Sequence, residues 1–458
     1  MKTNTILNVD SYKTSHFLQY PPGSEYVSSY IEARGGEYPD SLFFGLQMFL
    51  KEYLSRPISK ADIEEADDVL TAHGVPFNRS GWEYILEQHG GHLPIEIEAV
   101  PEGTVLPVSN VLVQARNTDP NCAWLTSYIE TALLRAVWYP TTIATRSKDC
   151  RSIIEKALLD TADSTDGVEF KLHDFGARGT SSRETAAIGG AAHLLSFSGT
   201  DTISGIVALR RYYDADMPGF SIPAAEHSTI TCWGKEREVD AYRNMIDQFA
   251  GDQKTVAVVS DSYDLFAAID YLWGDSLRDR VINNGGTIVI RPDSGNPADI
   301  VCESIRRLMA RFGYRENSKG FLVLPDYIRV IQGDGISPSM IESILAVMKI
   351  HRLSAENVAF GMGGELLQNV NRDTLQFAMK ASAIRIDGTW KDVYKDPVTD
   401  TGKRSKRGRL ALIRNNAGFA TVRKEDAREQ DNLLQVVYRN GEILVDQSFD
   451  DVRARAAA

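Results

Sequence analysis

The sequence predicts an α/β protein: an irregular (β/α) barrel over residues 166–381, with a discontinuous α+β domain built from residues 1–165 and 382–458. Three observations predict it. From about Glu169 the chain alternates short β-rich runs, polar or glycine-rich turns and amphipathic helical stretches, the order that builds a parallel sheet through right-handed crossovers. Leu93 to Asn117 alternates and turns as antiparallel strands do, and strand-like runs return after about Ser382. Ionisable and glycine-rich groups also stand just after each proposed barrel strand.

In chain order, Ser41 to Leu54 carries the apolar spacing of a helix, and two further helices are expected around Ala123 to Val137 and Ile143 to Leu159. Barrel strands are expected at Phe170 to Leu172, Phe220 to Pro223, Thr255 to Val259, Thr287 to Ile290, Tyr327 to Ile331 and Asn357 to Phe360. Tyr263 to Trp273, Ala298 to Phe312 and Ser337 to Lys349 fit as helices between them. The closing runs RLALIR, FATVR, LLQVVY and EILVD are expected to rejoin the first segment.

Composition narrows the function. A hydrophobic content of 43% over 458 residues suffices for a full core, and no run of about 18 apolar residues marks a membrane span or signal segment, so a cytoplasmic protein is expected. The formal charge of −12 argues against nonspecific nucleic-acid binding. The four cysteines, Cys122, Cys150, Cys232 and Cys302, lack metal-ligand spacing, and no protein-held metal site is expected. One dense basic run, Lys403 to Arg409, reads as a solvated loop, a localisation-like patch or a clamp for a polyphosphate.

The proposed strand ends supply the chemistry. They read His173-Asp174-Phe175-Gly176-Ala177-Arg178, then Glu226-His227, Ser260-Asp261-Ser262-Tyr263-Asp264, Arg291-Pro292-Asp293-Ser294-Gly295, Gly333-Asp334-Gly335 and Gly361-Met362-Gly363-Gly364. Barrel loops at this end converge on one face, so these groups are expected to form one site. Caps and turns account for any single Asp, Ser or Gly here, but not for two arginines and a histidine. Gly333-Asp334-Gly335 and Gly363-Gly364 precede helices and suit a phosphate.

Assembled, these residues resemble the nicotinamide phosphoribosyltransferase family of type II phosphoribosyltransferases. The likeness runs nearly end to end and rests on DSYKTSH (Asp10 to His16), KLHDFGARG (Lys171 to Gly179), SGTDT (Ser198 to Thr202), PAAEHSTI, SDSYD, IRPDSGNP (Ile290 to Pro297), IQGDG and KDPVTDTGKRSKRGR (Lys395 to Arg409). It implies phosphoribosyl transfer from phosphoribosyl pyrophosphate to nicotinamide, with Mg²⁺ carried on substrate phosphates, ATP as a stimulating co-substrate, and a homodimer with sites at its interface. By the same resemblance Phe175 stacks on the pyridine opposite Tyr12 of a second subunit, Asp201 accepts from the carboxamide and Arg291 donates to it. Asp293 takes a ribose hydroxyl. Arg178, Gly333, Asp334, Gly363, Gly364 and Arg372 cradle the ribose phosphate, and Asp10, Arg34, Lys395 and Lys403 serve the interface phosphate end. His227 becomes the phosphoryl acceptor from ATP, with Glu226 and Asp264 holding its ring.

The sequence departs from the family pattern at Ala177, where an aromatic is expected, and at Met362 and Glu365, where Ser and Gly are expected. A carboxylate at 365 weakens a phosphate cradle unless it points away or pairs with a base such as Arg372. The alternative readings are a nicotinate phosphoribosyltransferase, against which the Asp201 anion weighs, and a non-catalytic binding or signalling barrel.

Overall fold

The structure, a computed structural model, describes residues 4–399, 404–416 and 418–458. The chain forms two compact units: Met1–Thr145 with Ala208–Ala215 and Val370–Ala458, and Arg146–Val207 with Asp216–Asn369. The sequence-based borders at 165/166 and 381/382 differ from these. Residue 382 lies inside the strand Ala378–Ile386, which pairs along Ser24–Glu32 and so cannot be cut at that point.

The first unit is built on a seven-stranded sheet in the order Thr389–Asp392, Ala378–Ile386, Ser24–Glu32, Val111–Asn117, Ile95–Ala99, Gln435–Arg439, Glu442–Ile443. Every neighbouring pair is antiparallel. The C-terminal segment therefore rejoins the N-terminal one through the outer strands, while Leu410–Asn415 and Gly418–Arg423 form a hairpin of their own. Its core includes Trp82, Trp124 and Tyr128, whose rings meet edge to face at 4.9 to 5.7 Å.

Two local expectations are corrected. Ser41 to Leu54 is not one helix: Asp40–Leu42 is a strand, and helical geometry starts at Leu46. Gly45 between them has φ 100°, and a Cβ there would lie 2.4 Å from Pro140 Cγ, so backbone and space both demand glycine. The two helices expected between 123 and 159 are mostly one, Glu130–Thr161, running through Pro140. Proline removes an internal bond. Side-chain bonds to neighbouring chain offset that loss here, since Thr145 Oγ1 accepts from the Leu42 N–H at 2.9 Å and Thr141 Oγ1 from the Phe44 N–H at 3.3 Å.

The second unit is the barrel. Its parallel sheet runs Gly199–Thr200, Leu172–Asp174, Val358–Met362, Ile328–Gln332, Thr287–Arg291, Thr255–Val259. The stretch from Phe220 to Ala225 bridges the two ends: the Phe220 carbonyl accepts from the Thr200 N–H at 2.9 Å, and the Ala225 N–H donates to Ala257 O at 2.9 Å. These bonds close the sheet on itself, which removes its free edges. The strand Gly199–Thr200 was missed in the sequence because two residues carry no periodicity.

Alternation along the strands sorts side chains by face. Ala257, Val289 and Ile331 pack together with Ile222, Ala359 and Phe175, while Val256, Val258, Ile288 and Ile290 are fully buried on the other face. Pro297–Phe312 shows why the covering helices form: Asn296 Oδ1 accepts from the Ala298 and Asp299 N–H groups, Pro297 opens the first turn, and Val301, Ile305, Leu308 and Phe312 recur at helical spacing as buried residues. Among the described residues no helix is long and apolar enough to cross a membrane.

Candidate active site

In the barrel unit, the residues singled out from sequence lie at the C-terminal strand ends. Phe175 follows Leu172–Asp174, and its N–H donates to Met362 O at 2.9 Å, which joins two of the loops. Its ring lies across the strand Val358–Met362, where a Cβ on Gly361 would fall 2.0 Å from the ring; at Gly333 the distance would be 3.3 Å. Glycine at 361 is therefore a condition for the ring's position. The Arg291 guanidinium sits 5.8 Å from the ring centroid, and its Nη2 donates to Asp293 Oδ1 at 2.9 Å. Arg291 Nε is buried without a partner, a donor unmatched by protein.

Asp201 follows Gly199–Thr200 and is exposed, with its N–H donating to Asp174 O at 2.9 Å. Ser221 Oγ donates to Asp201 Oδ1, leaving Oδ2 open to a further donor. Ser221 is a residue the sequence reading missed, since a serine inside a β-rich run carries no signal of its own.

His227 opens the short helix His227–Thr231, which Glu226 precedes as N-cap. The expected ring partners are corrected. His227 Nε2 meets Asp261 Oδ1 at 3.0 Å, and Nδ1 is 3.9 Å from Asp293 Oδ2. Asp264 instead caps Leu265–Ala267, accepting from the Ala267 N–H at 3.0 Å, and Glu226 accepts from the Ser228 hydroxyl. Asp261 Oδ2 accepts from the Asp293 N–H at 3.0 Å and from Ser294 Oγ at 2.6 Å. Burial opposes its ionisation, but the bonds from Ser294, His227 and the Asp293 N–H outweigh burial and hold the carboxyl below its ordinary range. Asp261 is thus a fixed anion beneath an imidazole whose side chain is 46% exposed, open enough to meet a substrate.

The glycine-rich ends follow the strands Ile328–Gln332 and Val358–Met362. Gln332 Nε2 donates to Asp334 O at 2.9 Å and steadies Gly333-Asp334. Arg178 is exposed, and a Cβ on Gly179 would lie 3.0 Å from Gly364 Cα, so the Phe175 loop and the Gly363-Gly364 turn abut. Glu365 points away from that turn: Asn369 Nδ2 donates to it at 2.6 Å, and it lies 3.9 Å from Arg146 Nη1. The buried Arg146 also donates to the Glu365 and Asn369 carbonyls at 2.6 and 3.0 Å. The pairing with Arg372 considered from sequence is replaced by this one; Arg372 faces Asp373 at 3.1 Å.

Within the barrel a cavity of about 410 Å³ is lined by residues from the opposite strand ends, Lys171 and Arg329, and from the interior, His173, Ser221, Ile222 and Ile331. Burial, with the Arg329 charge adding to it, pushes the Lys171 amine down to about 8.

The remaining expected residues belong to the first unit. Tyr12 is 59% exposed, with Lys13 Nζ 5.1 Å from its ring centroid. Asp10 accepts from Thr131 Oγ1 at 2.7 Å, Arg34 Nε donates to Gln376 O at 3.1 Å, and the Lys395 N–H donates to Ser405 Oγ at 2.8 Å. Lys380, not anticipated from sequence, is exposed; partial desolvation lowers its pKa, and Arg34, Lys13 and Lys395 lower it further against the pull of Glu130. Lys13 is itself paired with Glu130 Oε2 at 2.8 Å, which offsets part of the positive charge gathered there. In the basic run, Lys403 lies outside the described residues. Arg404 pairs with Asp396 at 2.6 Å, Lys406 with Glu32, and Arg407 covers the Tyr394 ring at 4.0 Å, so much of the run is engaged locally.

Comparison with known proteins identifies the family and the fold. Residues 170–442 match the nicotinate phosphoribosyltransferase (NAPRTase) family, and residues 4–97 match the N-terminal domain of nicotinamide phosphoribosyltransferase. The chain is 52% identical to a nicotinamide phosphoribosyltransferase of Xanthomonas campestris over 99% of its length and 98% of the relative's. It is 30% identical to one of Acinetobacter baylyi, covering 100% of this chain and 97% of that one. In fold it is similar to the nicotinate-nucleotide pyrophosphorylase of Pyrococcus furiosus, with TM-score 0.64 at 16% identity over 100% of this chain and 96% of the other. Human nicotinic acid phosphoribosyltransferase gives 0.57 at 16% identity over 98% and 92%. A chain matched from end to end, with its barrel-end residues gathered as described, belongs to the nicotinamide phosphoribosyltransferases of the nicotinate phosphoribosyltransferase family.

Proposed function

We propose that the protein transfers the phosphoribosyl group of phosphoribosyl pyrophosphate to nicotinamide, releasing pyrophosphate and nicotinamide mononucleotide for NAD salvage, and that ATP stimulates the transfer through a phosphohistidine at His227. The observation that carries the reading is the triad of Phe175, Arg291 and Asp293: a ring for the flat heterocycle, with a guanidinium 5.8 Å from it that is itself tied to a carboxylate. Stacking leaves the pyridine nitrogen free at the edge, and no base is needed because that nitrogen carries no proton. Asp201 Oδ2 accepts from the carboxamide NH₂ and disfavours a carboxylate in the same place.

Breaking the bond from C1′ to the pyrophosphate oxygen builds positive character on the ribose and negative charge on the leaving group. Asp293 serves the ribose hydroxyls, and Arg178, the Gly333-Asp334 and Gly363-Gly364 turns and Arg372 serve the 5′-phosphate. Asp10, Arg34, Lys395 and Lys403 complete the phosphate end, and Tyr12 supplies the second ring face, delivered by the other subunit of a homodimer. When bound, Mg²⁺ neutralises phosphate charge. The ion rides on substrate phosphate oxygens, which suits a cation that dehydrates reluctantly and keeps most of its own ligands.

The Asp261 contact favours His227 with its proton on Nε2 and a free lone pair on Nδ1, the state an imidazole nucleophile requires. Initial rates with nicotinamide and with nicotinate, each with and without ATP, test the proposal. A higher kcat/KM for nicotinamide, raised further by ATP, is expected; preference for nicotinate overturns the substrate, and indifference to ATP overturns the histidine's role.

A further inference from the structure

We propose that Asp174 is a positioning residue for the pyridine site, holding Phe175 and Asp201 in one frame through bonds to both of their loops. The proposal rests on the functional reading above for its substrate. Asp174 is fully buried. Its Oδ1 accepts from the Gly176 N–H at 2.7 Å, just past Phe175, and its Oδ2 is 3.5 Å from the hydroxyl of Thr200, just before Asp201. The Asp174 carbonyl accepts from the Asp201 N–H at 2.9 Å, and Thr200 Oγ1 accepts from the Thr202 N–H at 3.0 Å.

One side chain therefore faces donors on either side of the two groups expected to grip nicotinamide, the stacking ring and the carboxamide acceptor. The Gly176 bond is an Asx-turn that shapes the Phe175 loop, while the reach of Oδ2 toward Thr200 goes beyond any turn, since the strands already pair at Asp174 and Thr200 through their backbones. A buried carboxylate is costly unless its bonds serve a purpose, and an aligned site loses much of its rate when its parts shift by about 1 Å. A Cβ on Gly190 would lie 3.3 Å from Asp174 Oδ2, so glycine there leaves the carboxylate its room.

The test uses the full-length protein. Asp174→Ala is expected to raise KM for nicotinamide on the order of tenfold or more while leaving KM for phosphoribosyl pyrophosphate within about twofold. Asp174→Asn keeps an oxygen to accept from the Gly176 N–H and is expected to recover most of the loss. Thr200→Val keeps the side-chain shape but removes the hydroxyl that faces Asp174 Oδ2 and accepts from the Thr202 N–H, and is expected to move the same constant in the same direction by a smaller factor. Hydrogen exchange read on peptides covering 174–178 and 199–203 is expected to quicken in Asp174→Ala but not in a peptide covering 332–336. Unchanged exchange at 174–178, equal rises in both KM values, or an unchanged nicotinamide KM in Thr200→Val overturns the proposal. A wild type inactive on nicotinamide defeats the functional reading instead, and the exchange data then still decide the positioning role.

Discussion

His227 Nε2 lies 3.0 Å from Asp261 Oδ1, while Asp261 Oδ2 is held by the Ser294 hydroxyl and the Asp293 N–H. One carboxylate thus fixes the tautomer of the imidazole and ties it to the loop that carries Asp293. With a proton on Nε2 toward Asp261, the free lone pair proposed to accept the phosphoryl group is on Nδ1, the nitrogen 3.9 Å from Asp293 Oδ2.

Asp261→Asn is expected to lower the ATP-dependent increment of the rate on the order of a hundredfold or more, as a wrong tautomer does beside other reactive histidines, while basal transfer persists. Asp264→Asn is expected to leave that increment within about threefold and to cost about 1 kcal/mol of stability at most as a weakened cap. Equal losses of stimulation in the two variants would falsify the assignment of Asp261 as the ring's partner. The phosphorylated protein is expected to carry its phosphoryl group on Nδ1, which phosphorus NMR distinguishes from Nε2.

Gly361→Ala places a methyl group 2.0 Å from the Phe175 ring, so the ring must leave its seat. Overpacking of this kind costs about 1–3 kcal/mol, and nicotinamide affinity is expected to fall with it. Gly364→Ala meets nothing within 4 Å and is expected to fold and bind nicotinamide as the wild type does. Calorimetric titration of nicotinamide into both variants checks the contrast.

Asp201→Asn removes the anion that disfavours a pyridine carboxylate, and the ratio of kcat/KM for nicotinamide over nicotinate is expected to narrow by about tenfold. Ser221→Ala frees Oδ1 of Asp201 and is expected to change that ratio less than Asp201→Asn does. A ratio that stays at its wild-type value in Asp201→Asn means the carboxylate does not meet the carboxamide.

Burial, with the nearby Asp201 charge adding to it, pushes the Asp174 carboxyl up to about 6, although bonds from Gly176 and Thr200 draw it down. Between the ordinary Asp value near 4 and about 6, the folded protein binds a proton that the unfolded chain has released, so stability falls as pH rises through that window and levels off above it. Asp174→Asn is expected to flatten this contribution, seen by comparing urea midpoints at pH 4.5 and pH 7.5 for both proteins. An unaltered pH dependence in the variant rules out the raised carboxyl.

Much of this molecule was legible in its sequence. The helices Pro297–Phe312 and Pro338–Ile350 fall within a residue of expectation, because caps, a proline in the first turn and helical spacing are all local signals. Strands Thr255–Val259 and Thr287–Arg291 were equally plain, as short β-branched runs bounded by turn residues. Ser41 to Leu54 misled because its apolar spacing fits a helix, while the break at Gly45 depends on Pro140, far along the chain.

The site divides the same way. That His227, Arg291, Asp293 and Phe175 stand at strand ends follows from the sequence alone, since the alternation of strands and helices fixes which residues come after each strand. The choice between Asp261 and Asp264 does not follow from it. Three residues apart in one polar run, both are equally eligible, and only the direction the loop takes after Val259 sends one to the imidazole and the other to a helix terminus. The sealing of the barrel by the Phe220 to Ala225 stretch, the seat of the Phe175 ring over Gly361 and the turning of Glu365 toward Arg146 were likewise settled by the fold. Periodicity and capping are written within a few residues, but a contact between distant residues depends on how the backbone packs in three dimensions.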